Sequence, residues 1–375
     1  MTAPEFLARL DASLRPYLVG MLPARASVAF YSWARQFALR MLAERECPLA
    51  IEPPPTAARV LWGIRFRAPL LNAAGMFKHG EGYELAYRQG AGAYLAGTTT
   101  ARPRLGNVRR GIAQPFVPYP RSRAASNWLG LPNPGHRAVA ARIAQLPRYE
   151  GFPIGASVAL DPGDDSAAAL ERLVEGMSRY ADAGVDFFEL NESCPNTGED
   201  QRGFDTLGVR LEAIAQQFVR PSGKPTLVKV SVDVEQGALE RLIPLLVELG
   251  YAGITIGNTS IRYEEHRAAI APVERRAYTY FTRTFGGGIS GEPLRASMLR
   301  LVESARTIAA GLSSQFHVIA VGGIARGEHL RQVLTAGAAL AQWYTGYFER
   351  FARDGHRLYA RVFSEWLHTG TAPNS

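Results

Sequence analysis

The sequence predicts an α/β fold, a (β/α)8 TIM barrel with a small N-terminal helical extension, and three observations carry that prediction. Eight short apolar runs alternate with helix-like stretches between residues 70 and 346. Strands that alternate with helices imply a parallel sheet, and eight of them imply a closed barrel. The last two runs end in "VGG" and "YTG", small and turn-forming residues of the kind that barrels place at the C-terminal ends of strands. Two of the chain's three lysines and four of its eight asparagines fall on or near the face formed by the ends of the runs.

Taken in order, residues 1–46 come first. "EFLARLDASLRPYLVGML" and "ASVAFYSWARQFALRML" predict two amphipathic helices, with Pro16 and "LPAR" as breaks. In the second, Val28, Tyr31, Ala34, Phe37, Ala38 and Met41 are expected on one face, with Arg35 and Arg40 elsewhere. Six arginines stand in residues 1–45 against Glu5, Asp11 and Glu44. A basic amphipathic pair of this kind suits either a membrane surface or a cap packed on the main domain. Residues 47–59, rich in proline, read as a connector, and residues 60–375 as the barrel.

The strands are expected at "LLNAAG" (70–75), "AYLAGT" (93–98), "PIGASVA" (153–159), "FFELN" (187–191), "TLVKVSV" (226–232), "GITIGN" (253–258), "VIAVGG" (318–323) and "LAQWYTG" (340–346). In this frame Lys78 follows the first strand and Asn127 lies in the loop region after the second. Asn191 and Asn196 close the fourth, Lys229 is within the fifth, and Asn258 ends the sixth. The C-terminal ends of barrel strands share one face, and that face holds the active site.

Composition narrows the class. With 375 residues, 47% hydrophobic and 20% charged, the chain is of globular and not disordered type. The formal charge of +8 is spread without a basic run, which argues against nucleic-acid binding. No run of 18 apolar residues occurs, and "MTAPEFLARLDASLRP" lacks a secretory pattern. Cys47 and Cys194 are too few for a disulfide framework, so a reducing compartment is expected. Of 42 basic residues only Lys78, Lys224 and Lys229 are lysine, so the two on the barrel face stand out.

These residues suggest a ligand. Gly322, Gly323, Tyr344 and Thr345 suit a phosphate held by backbone N–H groups at a helix N-terminus, and Gly291 in "GGGISG" adds a further close approach. Asparagine amides both donate and accept, so several together match the edge of a pyrimidine ring. Lys78 could meet a negative charge on a flavin or a carboxylate, and Lys229 could stabilise a reduced, anionic ring. In "NESCPNT" (191–197), Cys194 reads as a general base, a nucleophile or a buried structural thiol. No CxxC exists and no histidine is near it, so no metal site is expected.

"NESCPNT", "LVKV", "IGNT", "GGGISGEPL" and "VGGIARG…QWYTG", in this order, resemble the dihydroorotate dehydrogenases over residues 60–350. The resemblance implies an FMN enzyme of pyrimidine biosynthesis that oxidises dihydroorotate to orotate, passing a hydride to flavin and a proton to a base. It implies Cys194 as that base. It implies Lys78, Asn127, Asn191, Asn196, Asn258 and Thr259 around the substrate, and Ala74, Gly75, Thr98, Lys229, Gly291, Gly323, Tyr344 and Thr345 near FMN. Ser157 stands where an FMN-contacting asparagine is common.

"NAAGMFKHGEGY", "GTTTARPRLGN" and the helical arm resemble the membrane-associated class 2 members, which use quinone. That implies a quinone acceptor, peripheral membrane contact through residues 1–45, and a place on the cytoplasmic side of the membrane, with a soluble cytoplasmic enzyme as the alternative. Cys194 as base, and "NWLGLPNPG", resemble the soluble class 1. Glu192 departs from both, since its position is usually apolar. A carboxylate there raises the alternatives of another dihydropyrimidine or cyclic amide as substrate; a non-catalytic barrel scaffold is the third reading.

Overall fold

The computed structural model describes residues 1–44, 47–192 and 204–368. Two helices, α1 (Ala3–Met21) and α2 (Ala24–Glu44), precede the hairpin of β1 (Arg59–Leu61) and β2 (Ile64–Phe66). Then come β3 (Leu70–Asn72), α3 (Tyr83–Arg88) and β4 (Tyr94–Thr99). An excursion carries β5 (Val108–Arg109), β6 (Ile112–Ala113), β7 (Phe116–Tyr119), β8 (Ala124–Asn127) and α4 (His136–Ile143). The alternation resumes with β9 (Ile154–Val158), α5 (Ala167–Asp182), β10 (Phe187–Asn191), α6 (Phe204–Ile214) and the short α7 (Arg220–Ser222). It continues through β11 (Thr226–Val230), α8 (Gln236–Leu249), β12 (Gly253–Ile256), α9 (Tyr263–Arg267) and α10 (Arg275–Thr284). The last elements are β13 (Gly288–Gly291), α11 (Arg295–Ala310), β14 (His317–Val321), α12 (Gly327–Thr335), β15 (Leu340–Trp343), α13 (Thr345–Asp354) and α14 (Leu358–His368).

Eight strands form one parallel sheet in the order β3-β15-β14-β12-β11-β10-β9-β4. Each of the eight expected runs supplies one of them. The two edges, β3 and β4, meet through a side chain instead of a ladder. Asn72 Nδ2 donates to the Leu95 carbonyl at 2.8 Å, and the Leu95 amide donates back to Asn72 Oδ1 at 3.2 Å. An amide side chain mimics a peptide group here, so the sheet nearly closes into a barrel with the Leu95 amide and carbonyl paired.

Side chains alternate along a strand, so residues two apart share a face. Phe187, Leu227, Ile319 and Leu340 point inward and pack with Leu71, Leu95, Leu61 and Phe66 as a core distinct from the one outside the barrel. The β1–β2 hairpin plugs this end, with the Trp62 ring against Phe66 and Phe187. Two residues further along the same strands lie Glu189, Lys229 and Gln342, and beyond Glu189 lies Asn191. The interior therefore passes from an apolar plug to a polar floor and then to the mouth.

The sequence predicts a break at Pro16, but α1 runs through it. A mid-helix proline costs about 3 kcal/mol; a Thr2–Glu5 capping box and the packing of α1 on α13 and α2 offset that. The buried face of α2 also differs from expectation. Val28, Tyr31, Ser32 and Leu42 face the protein, whereas Trp33 and Phe37 are 61% and 48% exposed and stack on each other at 5.4 Å. Phe37 lies six positions from Tyr31, off its face, while Arg35 lies four positions on and shares it.

Candidate active site

The polar floor is built around Glu189, which is 1% exposed. Its Oε1 accepts from Lys229 Nζ at 3.2 Å and from Ser157 Oγ at 3.2 Å, and its Oε2 accepts from Gln342 Nε2 at 2.7 Å. Lys229 is 2% exposed, so it does not reach out to solvent as a strand lysine could. Ser157 Oγ lies 2.9 Å from Thr98 Oγ1, Asn191 Nδ2 donates to Thr98 Oγ1 at 3.0 Å, and Asn258 Nδ2 donates to Asn191 Oδ1 at 3.5 Å. Five predicted site residues, Asn258, Asn191, Thr98, Ser157 and Lys229, are thus linked to one buried carboxylate, which Gln342 also meets.

Glu189 and Gln342 carry no role in the sequence analysis, although a signal for both existed. Glu189 stands two residues before Asn191, and Gln342 two before Tyr344, so period-two spacing puts each on the inner face.

The other wall is the small antiparallel sheet. Asn127 is expected in a loop; it ends β8 instead, opposite Gly288 of β13. A Cβ on Gly288 would lie 2.1 Å from Thr259 Oγ1, so glycine is needed for Thr259 to sit beside this strand. Thr259 Oγ1, which can both donate and accept, is buried without a partner among the described residues. Lys78 is buried in the loop after β3 and donates from Nζ to the Pro132 carbonyl at 3.3 Å. The Glu81 carboxylate accepts from the Lys78 and His79 amides and fixes that loop.

The glycine ends form a cradle. Gly323 has φ +68, and a Cβ there would come 2.8 Å from the Arg295 side chain and 3.1 Å from the Gly291 carbonyl. Thr345 opens α13, and its Oγ1 lies 3.0 Å from Ser290 Oγ, one residue before Gly291. Gly322 follows β14 with φ +132. Gly75 is tied by its amide to the Gly97 carbonyl at 2.6 Å, and the Tyr344 ring lies 3.8 Å from where its Cβ would be. Ala74 borders the inner core. Glycines beside a helix N-terminus suit a phosphate.

Cys194 and Asn196 lie outside the described residues. Glu192, just before them, is paired: Arg210 of α6 holds it through Nε at 3.1 Å and through Nη2, with both side chains under 10% exposed. This pairing neutralises the carboxylate that would otherwise disfavour an anionic substrate.

A model described as dihydroorotate dehydrogenase matches residues 56–354. The chain belongs to the dihydroorotate dehydrogenase family. A protein of Mycolicibacterium paratuberculosis named dihydroorotate dehydrogenase (quinone) is 31% identical over 326 residues, covering 85% of this chain and 78% of the relative. One of the same name from Mycobacteroides abscessus is 32% identical over 302 residues, covering 79% and 78%. The crystal structure of the Eimeria tenella enzyme in complex with ferulenol superposes with a TM-score of 0.74 at 22% identity over 90% of each chain, which establishes the shared fold. As a member of the dihydroorotate dehydrogenase family the protein is an oxidoreductase.

A groove of about 760 Å3 runs between α2 and the barrel mouth and is lined by Arg35, Leu39, Gly75, Met76, Lys78 and Gln114. Arg35 Nη2 donates to Gln114 Oε1 at 3.0 Å, Nη1 lies 3.5 Å from the Tyr344 hydroxyl, and its buried Nε has no partner among the described residues. Nothing in its sequence context sets Arg35 apart from the other arginines of α2. No helix among the described residues is long and apolar enough to cross a membrane.

Proposed function

We propose that this chain oxidises dihydroorotate to orotate, with FMN as its resident cofactor and a quinone as electron acceptor. The observation that carries the reading is the continuous set of hydrogen bonds from Asn258 and Asn191 to the Lys229–Glu189 pair, at a barrel mouth that also holds the glycine cradle. The residues present fit FMN. The amides around Gly291, Gly322, Gly323 and Thr345 suit its phosphate, while Ala74, Gly75, Thr98, Ser157 and Lys229 surround the space for its ring. FMN bound there would supply the acceptor for the hydride that the substrate ring loses.

The protein's own groups do the rest. Asn127, Asn191, Asn196, Asn258 and Thr259 orient the ring by its alternating donors and acceptors. Lys78 meets the carboxylate of the substrate. Cys194 takes the proton from the carbon next to the one that gives up the hydride, so two hydrogens leave and a double bond forms. The neutralised Glu192 leaves the anionic substrate unopposed.

The acceptor enters by the groove under α2. Its walls are apolar at Leu39 and Met76, and Arg35 offers an unpaired N–H to a quinone carbonyl. Phe6, Leu10, Tyr17, Met21, Trp33 and Phe37, all more than a third exposed on α1 and α2, supply an apolar face for an interfacial, peripheral contact with the cytoplasmic surface of a membrane. Purified protein should be yellow and release FMN on denaturation. Turnover with dihydroorotate should proceed with quinone and fail with fumarate or NAD in parallel assays. Dihydrouracil outpacing dihydroorotate would overturn the substrate, and preferred turnover with NAD the acceptor.

A further inference from the structure

Glu189 has no part in the reaction as described, yet the floor of the site is organised around it. A carboxylate accepts and never donates. Ser157 therefore directs its hydroxyl hydrogen to Glu189 Oε1, Thr98 directs its own to Ser157, and the Asn191 and Asn258 amides donate in the same sense. Every bond in this chain points toward Glu189, and aligned bonds of this kind polarise one another. Lys229 ends on the same oxygen, with Gln342 on the other. A flavin held at this mouth would face a paired, nearly neutral floor and not a lone buried cation.

We infer that Glu189 is a positioning residue that neutralises Lys229 and so holds the midpoint potential of the bound flavin below the value the lysine alone would set. This rests on the flavin reading above. Two electrons and one proton leave the reduced ring with a negative charge, which an unpaired cation nearby stabilises and an ion pair does not. A single charge within several ångströms, at the screening found inside proteins, changes such a balance by tenfold or more.

The test is the midpoint potential of the FMN-loaded full chain, measured by reductive titration against a redox dye. Wild-type protein that holds FMN and is bleached by dihydroorotate establishes the flavin reading independently; the variants then test the role of Glu189. Glu189→Gln, nearly isosteric, should favour reduced over oxidised cofactor by at least tenfold, an upward shift of about 30 mV for a two-electron couple. The double variant Glu189→Leu/Lys229→Met removes both charges together and should stay within tenfold of wild type. It also covers the case in which the single variant does not fold, since apolar replacement of a buried pair is often tolerated. A smaller rise, no change or a fall in Glu189→Gln overturns the inference, as does a fall beyond tenfold in the double variant.

Discussion

The Glu192–Arg210 ion pair spans the segment that carries Cys194, tying the end of β10 to α6. Both side chains are buried, so removing Glu192 costs Arg210 two hydrogen bonds to a carboxylate inside the protein. Glu192→Ala should cost about 3–5 kcal/mol in chemical denaturation, and Glu192→Leu/Arg210→Met far less. Equal costs for the two would mean that the pair contributes as an ion pair and not merely as filled space. For Cys194 the expectation is kinetic. Cys194→Ala should keep FMN and orotate binding yet lose flavin reduction by orders of magnitude. Cys194→Ser should retain some rate with its pH profile displaced upward, because a hydroxyl is much the weaker acid. Residues of rare type were legible in the sequence: Lys78, Lys229 and the asparagines announced themselves by scarcity and position. Glu189 was not, because one acid among 34 carries no such signal until strand periodicity places it inward. The partner of Glu192 was illegible for a different reason: it lies 18 positions away on another element, and only packing brings it near.

At the scale of elements, α2 connects the arm to the chemistry through Arg35. Arg35→Ala should raise the KM for quinone by roughly tenfold or more, the worth of a charged hydrogen bond. Flavin reduction by dihydroorotate should be unaffected; stopped-flow traces of the two half-reactions separate them. The seam of the barrel offers a second test. Asn72→Ala strands the Leu95 amide and carbonyl inside the protein and should lower stability by about 1–3 kcal/mol, read from the denaturant midpoint. Strand positions were legible because a buried parallel strand is a short apolar run, and all eight fell where such runs lie. Helix ends and faces were less so. Pro16 reads as a break by local rules, and tertiary packing overrides it; Phe37 reads as core by hydrophobicity, and helical geometry turns it outward.

For the whole molecule, the (β/α)8 architecture was legible in the alternation of eight apolar runs with helix-like stretches, read together with the glycine-bearing ends of the last two runs. Its stability should depend on pH in a stated direction. Burial pushes His136 down to about 4, below the ordinary value near 6.5. The unfolded chain then binds the proton first, so stability is full above pH 6.5 and is lost as pH falls toward 4, by about 3 kcal/mol from this residue. Denaturation of His136→Leu at pH 7 and pH 4.5 should show a smaller difference than wild type shows. The function itself is tested most directly by anaerobic rapid mixing of the purified protein with dihydroorotate, followed at the flavin absorbance band. The account predicts bleaching within turnover time and full recovery of the band when quinone is then added; a yellow protein whose band dihydroorotate leaves unchanged would contradict it.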